Sequence, residues 1–208
     1  TVGANGKGSL VSEANLMSKI FSTVDRKPDD LAALLYTSGT TGRSKGAMLT
    51  QNNLLSNAKT LKKLWQVTKS DILIHALPIF HTHGLFVALN TAMLAGAKVN
   101  FIPKFDIDEI IETLHASTLF MGVPTFYTRL LNDNRLTEKL TNNMRLFISG
   151  SAPLLSETHE EFVKRTGHRI LERYGMTETN MITSNPYNGE RRPSTVGTPL
   201  SNVEIKIT

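Results

Sequence analysis

The sequence predicts an α/β protein of layered, mostly parallel sheets with flanking helices. Three observations carry this. Short apolar runs alternate with amphipathic stretches of helical spacing along most of the chain, the order that builds parallel sheets from strand–helix–strand units. Residues 72–77 are apolar except His75, as expected of a strand buried on both faces. Of the 208 residues, 40% are hydrophobic and 20% charged, which is enough apolar material for one sizeable core.

The elements follow in order. Residues 1–30 are a polar, glycine-rich lead-in with a short helix expected near 13–21. Residues 31–36 read as the first strand. A helix over about 51–67 places Leu54, Ala58, Leu61 and Leu64 on one face and Lys59, Lys62 and Lys63 on the other. Residues 84–95 are apolar all round and read as a buried helix, followed by a strand at 99–102. Asp106 should cap a helix reaching about His115, with Asp108 and Glu109 in its acidic first turn. A strand at 118–123 leads to a helix opened by Pro124 and reaching about Leu131. After a strand at 144–148, Ser156 is expected to cap a helix that stops at Gly167. Strands are expected at 170–174 and 203–207, the last cut off mid-element.

Composition excludes several function classes. There is no cysteine, so disulfides and thiolate metal sites are out, and a reducing compartment fits. No stretch approaches the roughly 20 apolar residues of a membrane span. Residues 1–9 show no targeting pattern, so a cytoplasmic location is expected; the missing initiator methionine suggests an excised or processed piece. The net charge is +5, with lysines and arginines scattered rather than clustered with aromatics. That distribution suits solubility and anionic small substrates better than nucleic acid.

The most informative segment follows the first strand. Residues 36–46 read Tyr-Thr-Ser-Gly-Thr-Thr-Gly-Arg-Ser-Lys-Gly, with five hydroxyls, three glycines and Lys45. Glycines let backbone N–H groups close on an anion, hydroxyls donate further hydrogen bonds, and the lysine adds charge. The spacing is neither that of the Walker loop, since Gly39 is followed by Gly42 and Lys45 precedes Gly46, nor a dinucleotide fingerprint. The segment therefore reads as a phosphate cradle of another kind, against the plainer alternative of a polar surface turn.

Three further segments sit at strand ends, where open parallel sheets place ligands. Residues 78–84 carry His81 and His83 beside Phe80; two histidines without a third ligand suit a substrate wall better than a metal. Residues 149–153 are small, and either form a tight turn or let a flat ring approach the backbone. Residues 174–178 offer a tyrosine face for a base, a threonine hydroxyl for phosphate and a carboxylate for Mg²⁺, or else begin a helix capped by Thr177.

Together and in this order, the segments at 36–46, 78–81, 150–153 and 174–178 resemble the acyl-adenylate-forming superfamily of acyl-CoA synthetases, luciferases and peptide-synthetase adenylation domains. Within it, residues 80–85, 123–129 and 172–181 look most like malonyl-CoA synthetases. The resemblance implies ATP, Mg²⁺ and coenzyme A as cofactors or co-substrates and a small carboxylic acid, malonate or methylmalonate, as substrate. In the implied reaction the acid attacks the α-phosphorus of ATP, and CoA thiol then displaces AMP from the acyl-AMP. Thr37, Ser38, Gly39, Thr40, Thr41, Gly42 and Lys45 would hold the outer phosphates. Tyr174, Gly175 and Met176, with Gly150, Ser151 and Ala152, would flank the nucleotide. Thr177 would bond the α-phosphate, Glu178 would hold Mg²⁺, and His81 would stand on the acid side. Arg129 would pair with the second carboxylate, assisted by Ser151, with His83 and Met176 nearby. The resemblance also implies that residues 1–208 are one part of the large N-terminal adenylation domain. They stop before the family's ribose-binding aspartate and its C-terminal catalytic-lysine domain, so the piece alone is not expected to complete catalysis.

Overall fold

A computed structural model of the protein describes residues 7–37 and 44–207. Its centre is a seven-stranded sheet in the order β4-β3-β5-β6-β7-β8-β9. The strands are β3 (Ile72–His75), β4 (Lys98–Phe101), β5 (Leu119–Gly122), β6 (Leu146–Ser149), β7 (Leu171–Met176), β8 (Asn180–Ser184) and β9 (Thr198–Pro199). The pairs from β4 through β7 are parallel, while β8 and β9 are added antiparallel. The expected mostly parallel α/β architecture is therefore present.

Alternation along the strands buries the sheet on both faces. Leu73, Leu119, Met121, Leu146 and Ile148 enter one core with Leu61 and Trp65. Ile74, Phe120 and Phe147 enter the other with Ile110, Tyr127 and Phe162. The first core is covered by α2 (Gln51–Leu64), a π-helical turn at His83–Leu89 and α3 (Asn90–Ala95). The second is covered by α4 (Ile107–Leu114), α5 (Pro124–Leu131) and α6 (Ser156–Thr166).

Local chemistry sets the helix ends. The Asp106 carboxylate accepts from Asp108 N at 3.0 Å and Glu109 N at 3.2 Å, the expected cap. Pro124 opens α5, where its missing N–H costs nothing. Gly167, at φ 74°, ends α6 in a left-handed conformation that a side chain would resist. The Thr50 hydroxyl and the Asn53 amide cap α2 reciprocally. Asn57 on α2 then grips β8 by donating to Met181 O at 2.8 Å and accepting from Met181 N at 3.3 Å.

Four expectations are corrected. The early helix is Ser9–Ala14 (α1) rather than 13–21; the apolar side chains of that later stretch are exposed, so nothing holds a helix there. The segment at 31–36 is a strand, β1 (Leu31–Thr37), but it pairs antiparallel with β2 (Lys45–Thr50) in a separate hairpin instead of joining the main sheet. Ser156 is the first residue of α6 rather than its cap, and its hydroxyl is spent on Ser194 Oγ at 2.9 Å. Residues 203–207 are not a strand, because no described strand pairs with them.

Candidate active site

Parallel pairing aligns the C-terminal ends of β3, β5, β6 and β7 along one edge of the sheet. A cleft of about 730 Å³ opens there, where strand-end loops in such sheets hold ligands. Its wall combines the loop after β3 (Leu77, Pro78, His81, Thr82, His83, Gly84), Val123 and Phe126 beyond β5, Ser151 beyond β6, and Arg173 with Gly175, Met176, Thr177 and Glu178 of the β7–β8 turn region. The hairpin contributes Thr37 and Lys45.

Most of the described residues singled out from sequence converge here. Thr37 and Lys45 face each other at the open end of the hairpin, and the Thr37 hydroxyl lies 3.3 Å from Glu178 Oε1. Thr177, Glu178, Gly175 and Met176 lie together at the β7–β8 turn. That turn is a hairpin, so the alternative of a helix start at Thr177 is excluded. The left-handed backbone of Ser151, at φ 69°, brings its hydroxyl 3.2 Å from Nδ1 of His83. His81 stands at the exposed rim with its ring on Phe80 at 4.7 Å. Tyr174 is half-exposed. Ser38, Gly39, Thr40, Thr41 and Gly42 lie outside the described residues.

Four expected residues among those described do not line the cleft. Ala152 and Tyr174 are exposed outside its wall. Gly150 is buried behind the wall, against Arg173. Arg129 is exposed on α5, its guanidinium 3.9 Å above the Phe105 ring. Phe105 in turn packs on Phe126 at 4.4 Å, so one aromatic layer separates Arg129 from the cleft.

Sequence reasoning missed Arg173. It is 3% exposed and lines the cleft, and neither Nε nor Nη2 has a hydrogen-bond partner among the described residues. Burial lowers its proton affinity to about 10, opposed by the nearby Tyr127 phenol, so it remains a cation at neutral pH. The Thr82 hydroxyl and His83 Nε2, which line the same cleft, are also buried without partners among the described residues. His83 is held well below the usual imidazole range by burial and by Arg173, His75 and His81, so it stays neutral. The inner cleft is therefore a desolvated cation surrounded by unspent polar atoms. The buried cation favours an anionic ligand, and the neutral atoms around it offer further hydrogen bonds. The signal was present in sequence: Glu172 and Arg173 are charged residues inside a strand flanked by apolar neighbours, where charge is costly unless used.

Glu178 suits Mg²⁺. The ion takes oxygen ligands from one or two carboxylates together with phosphates rather than from an all-protein cage. No cluster of three metal-ligating side chains occurs among the described residues.

A strand-end cleft with a hydroxyl- and lysine-bearing hairpin and a Thr-Glu turn is the layout of an α/β domain that takes a small ligand at its strand ends. The family profile described as AMP-binding enzyme matches residues 5–208, and the chain belongs to that family. It is 41% identical over 199 residues to a malonate–CoA ligase of Arabidopsis thaliana, covering 86% of this chain and 33% of that protein. The crystal structure of ATP-bound MatB from Rhodopseudomonas palustris superposes with a TM-score of 0.92 at 60% identity, covering 96% of this chain and 40% of that one. A malonyl-CoA ligase complex with methylmalonyl-CoA and AMP bound superposes with a TM-score of 0.78 at 40% identity, covering 84% and 39%. The chain thus spans about a third of the length of the curated relative it matches.

Proposed function

We propose that the protein carrying this chain is an AMP-forming acid–CoA ligase that converts malonate, or methylmalonate, to its CoA thioester. One observation carries the choice of acid: Arg173 is a buried cation lining the cleft, with Nε and Nη2 unpartnered among the described residues. A monocarboxylate uses its only carboxylate in the reaction and would leave that cation unpaired. A dicarboxylate brings a second one to meet it, and a paired buried charge escapes the penalty of an isolated one. The similarity to malonate-handling ligases supports the same reading.

The residues then take the following parts. Lys45 and the hydroxyl segment hold the outer phosphates of ATP, and Thr177 bonds the α-phosphate. Tyr174 lies along the adenine. Glu178 holds Mg²⁺, which when bound offsets phosphate charge that would repel the incoming carboxylate. His81 orients the reacting carboxylate from the rim. Arg173, with Ser151 and His83, fixes the other end of the acid, and Arg129 supplies a second cation from the outer layer. The carboxylate oxygen attacks the α-phosphorus and pyrophosphate leaves; CoA sulfur then attacks the acyl carbon and AMP leaves. We place the reaction in the cytoplasm, in keeping with the cysteine-free sequence. Among the described residues no helix is long and apolar enough to cross a membrane.

The test is a carboxylate panel on the full-length protein, following pyrophosphate release with and without CoA. Malonate-dependent release with acetate and octanoate inert is expected. Release with octanoate but not malonate would overturn the reading.

A further inference from the structure

We infer that Gly150 is a positioning residue for Arg173: its missing side chain seats the guanidinium against the backbone and so selects a dicarboxylic over a monocarboxylic acid. The inference rests on the ligase reading above and departs from the nucleotide-flanking role that resemblance suggests for Gly150.

Register brings the two residues together independently of any side chain. Ser149 on β6 pairs with Glu172 on β7, which sets Gly150 beside Arg173. A Cβ on Gly150 would overlap Cζ and Nη1 of Arg173 and lie 2.6 Å from its Nε. The Gly150 backbone cannot easily retreat, because its N–H donates to Gly122 O at 3.3 Å. Tyr127 occupies the core nearby, fully buried and anchored by a 2.6 Å hydrogen bond to Ile148 O. The guanidinium therefore has one open direction, into the cleft it lines. An added methyl group would push it there, into the space an acid must occupy. Gly150 itself does not line the cleft.

The test compares wild type, Gly150→Ala, Arg173→Ala and the double variant in the full-length protein. Gly150→Ala should raise the KM for malonate about tenfold, the scale of one misplaced charge-assisted contact, while the KM for ATP stays within about twofold. In the Arg173→Ala background the same substitution should add almost nothing, since the atoms it strikes are gone. A rise in the ATP KM with malonate unaffected, or a full additional loss in the Arg173→Ala background, would overturn the inference. If Gly150→Ala alone is too unstable to assay, removing the guanidinium should restore its melting temperature; no restoration would also overturn it. Wild-type protein inert toward malonate would instead defeat the ligase reading, and the melting temperatures would still decide the contact.

Discussion

Arg173 and Arg129 divide the acid-binding question between a buried and an exposed cation. Arg173 is buried against the cleft, whereas Arg129 rests on Phe105 in solvent. A desolvated charge–charge contact is worth several times an exposed one. Arg173→Ala is therefore expected to raise the malonate KM about a hundredfold and Arg129→Ala only about twofold, with the ATP KM nearly constant in both. Steady-state kinetics on the full-length protein would check this, and the reverse ranking would assign the second carboxylate to Arg129. The sequence made the polar segments readable because hydroxyls, glycines and a lysine have few other reasons to cluster. It marked Arg173 as a charge within a strand but not which way it faces, because the register of β6 against β7 is a tertiary fact.

At the scale of elements, the edge of the sheet opposite the cleft is tied by an ion pair between a buried carboxylate and a half-buried guanidinium. Asp71, just before β3, accepts from Arg145 Nε and Nη2, each at 2.7 Å, from Thr68 N at 2.8 Å and from the Thr118 hydroxyl at 2.8 Å. Burial pushes its proton affinity up, but the hydrogen bonds from Arg145, Thr68 and Thr118 prevail and hold it at about 2. Arg145 also donates to the carbonyls of Trp65 and Gln66, so the end of α2 and the starts of β3, β5 and β6 share one network. Arg145→Met strands the carboxylate and is expected to cost about 3 kcal/mol in urea unfolding. Adding Asp71→Asn should recover part of that loss, and an additive double variant would refute the coupling. The helices and buried strands were readable because period and caps agree with packing, as at Asp106 and Gly167. β2 was not, since Lys45, Gly46 and Ala47 carry no strand pattern and take their shape from pairing with Thr37, Tyr36 and Leu35.

Taken whole, the molecule has a doubly covered sheet with a separate hairpin beside its cleft, and the outward residues Leu34, Tyr36 and Met48 of that hairpin are exposed. Local composition could not distinguish this hairpin strand from one in the main sheet, because both are short and apolar. The deep core carries a further cost that acid should reveal. His75, on β3, is fully buried, its ring edge-on to Phe101 and both nitrogens unpartnered among the described residues. Burial pushes its proton affinity down to about 4, and His83 is depressed as well. In the unfolded chain an imidazole takes up a proton near pH 6.5. Between about pH 6.5 and 4 the unfolded state therefore holds more protons than the native state, so stability rises with pH across that window. It is complete above pH 6.5 and falls away down to pH 4, where His75 alone accounts for roughly 3 kcal/mol. Below that, protonation of Asp71 adds a second loss as pH falls toward its value of about 2. The urea midpoint of the full-length protein should thus drop steadily from pH 7 to pH 4. His75→Leu, which replaces the imidazole with a side chain that never charges, should make that drop shallower while leaving the midpoint at pH 7 equal or higher. A midpoint flat between pH 7 and 5 in the wild type would show that His75 is protonated as readily in the native core as in water.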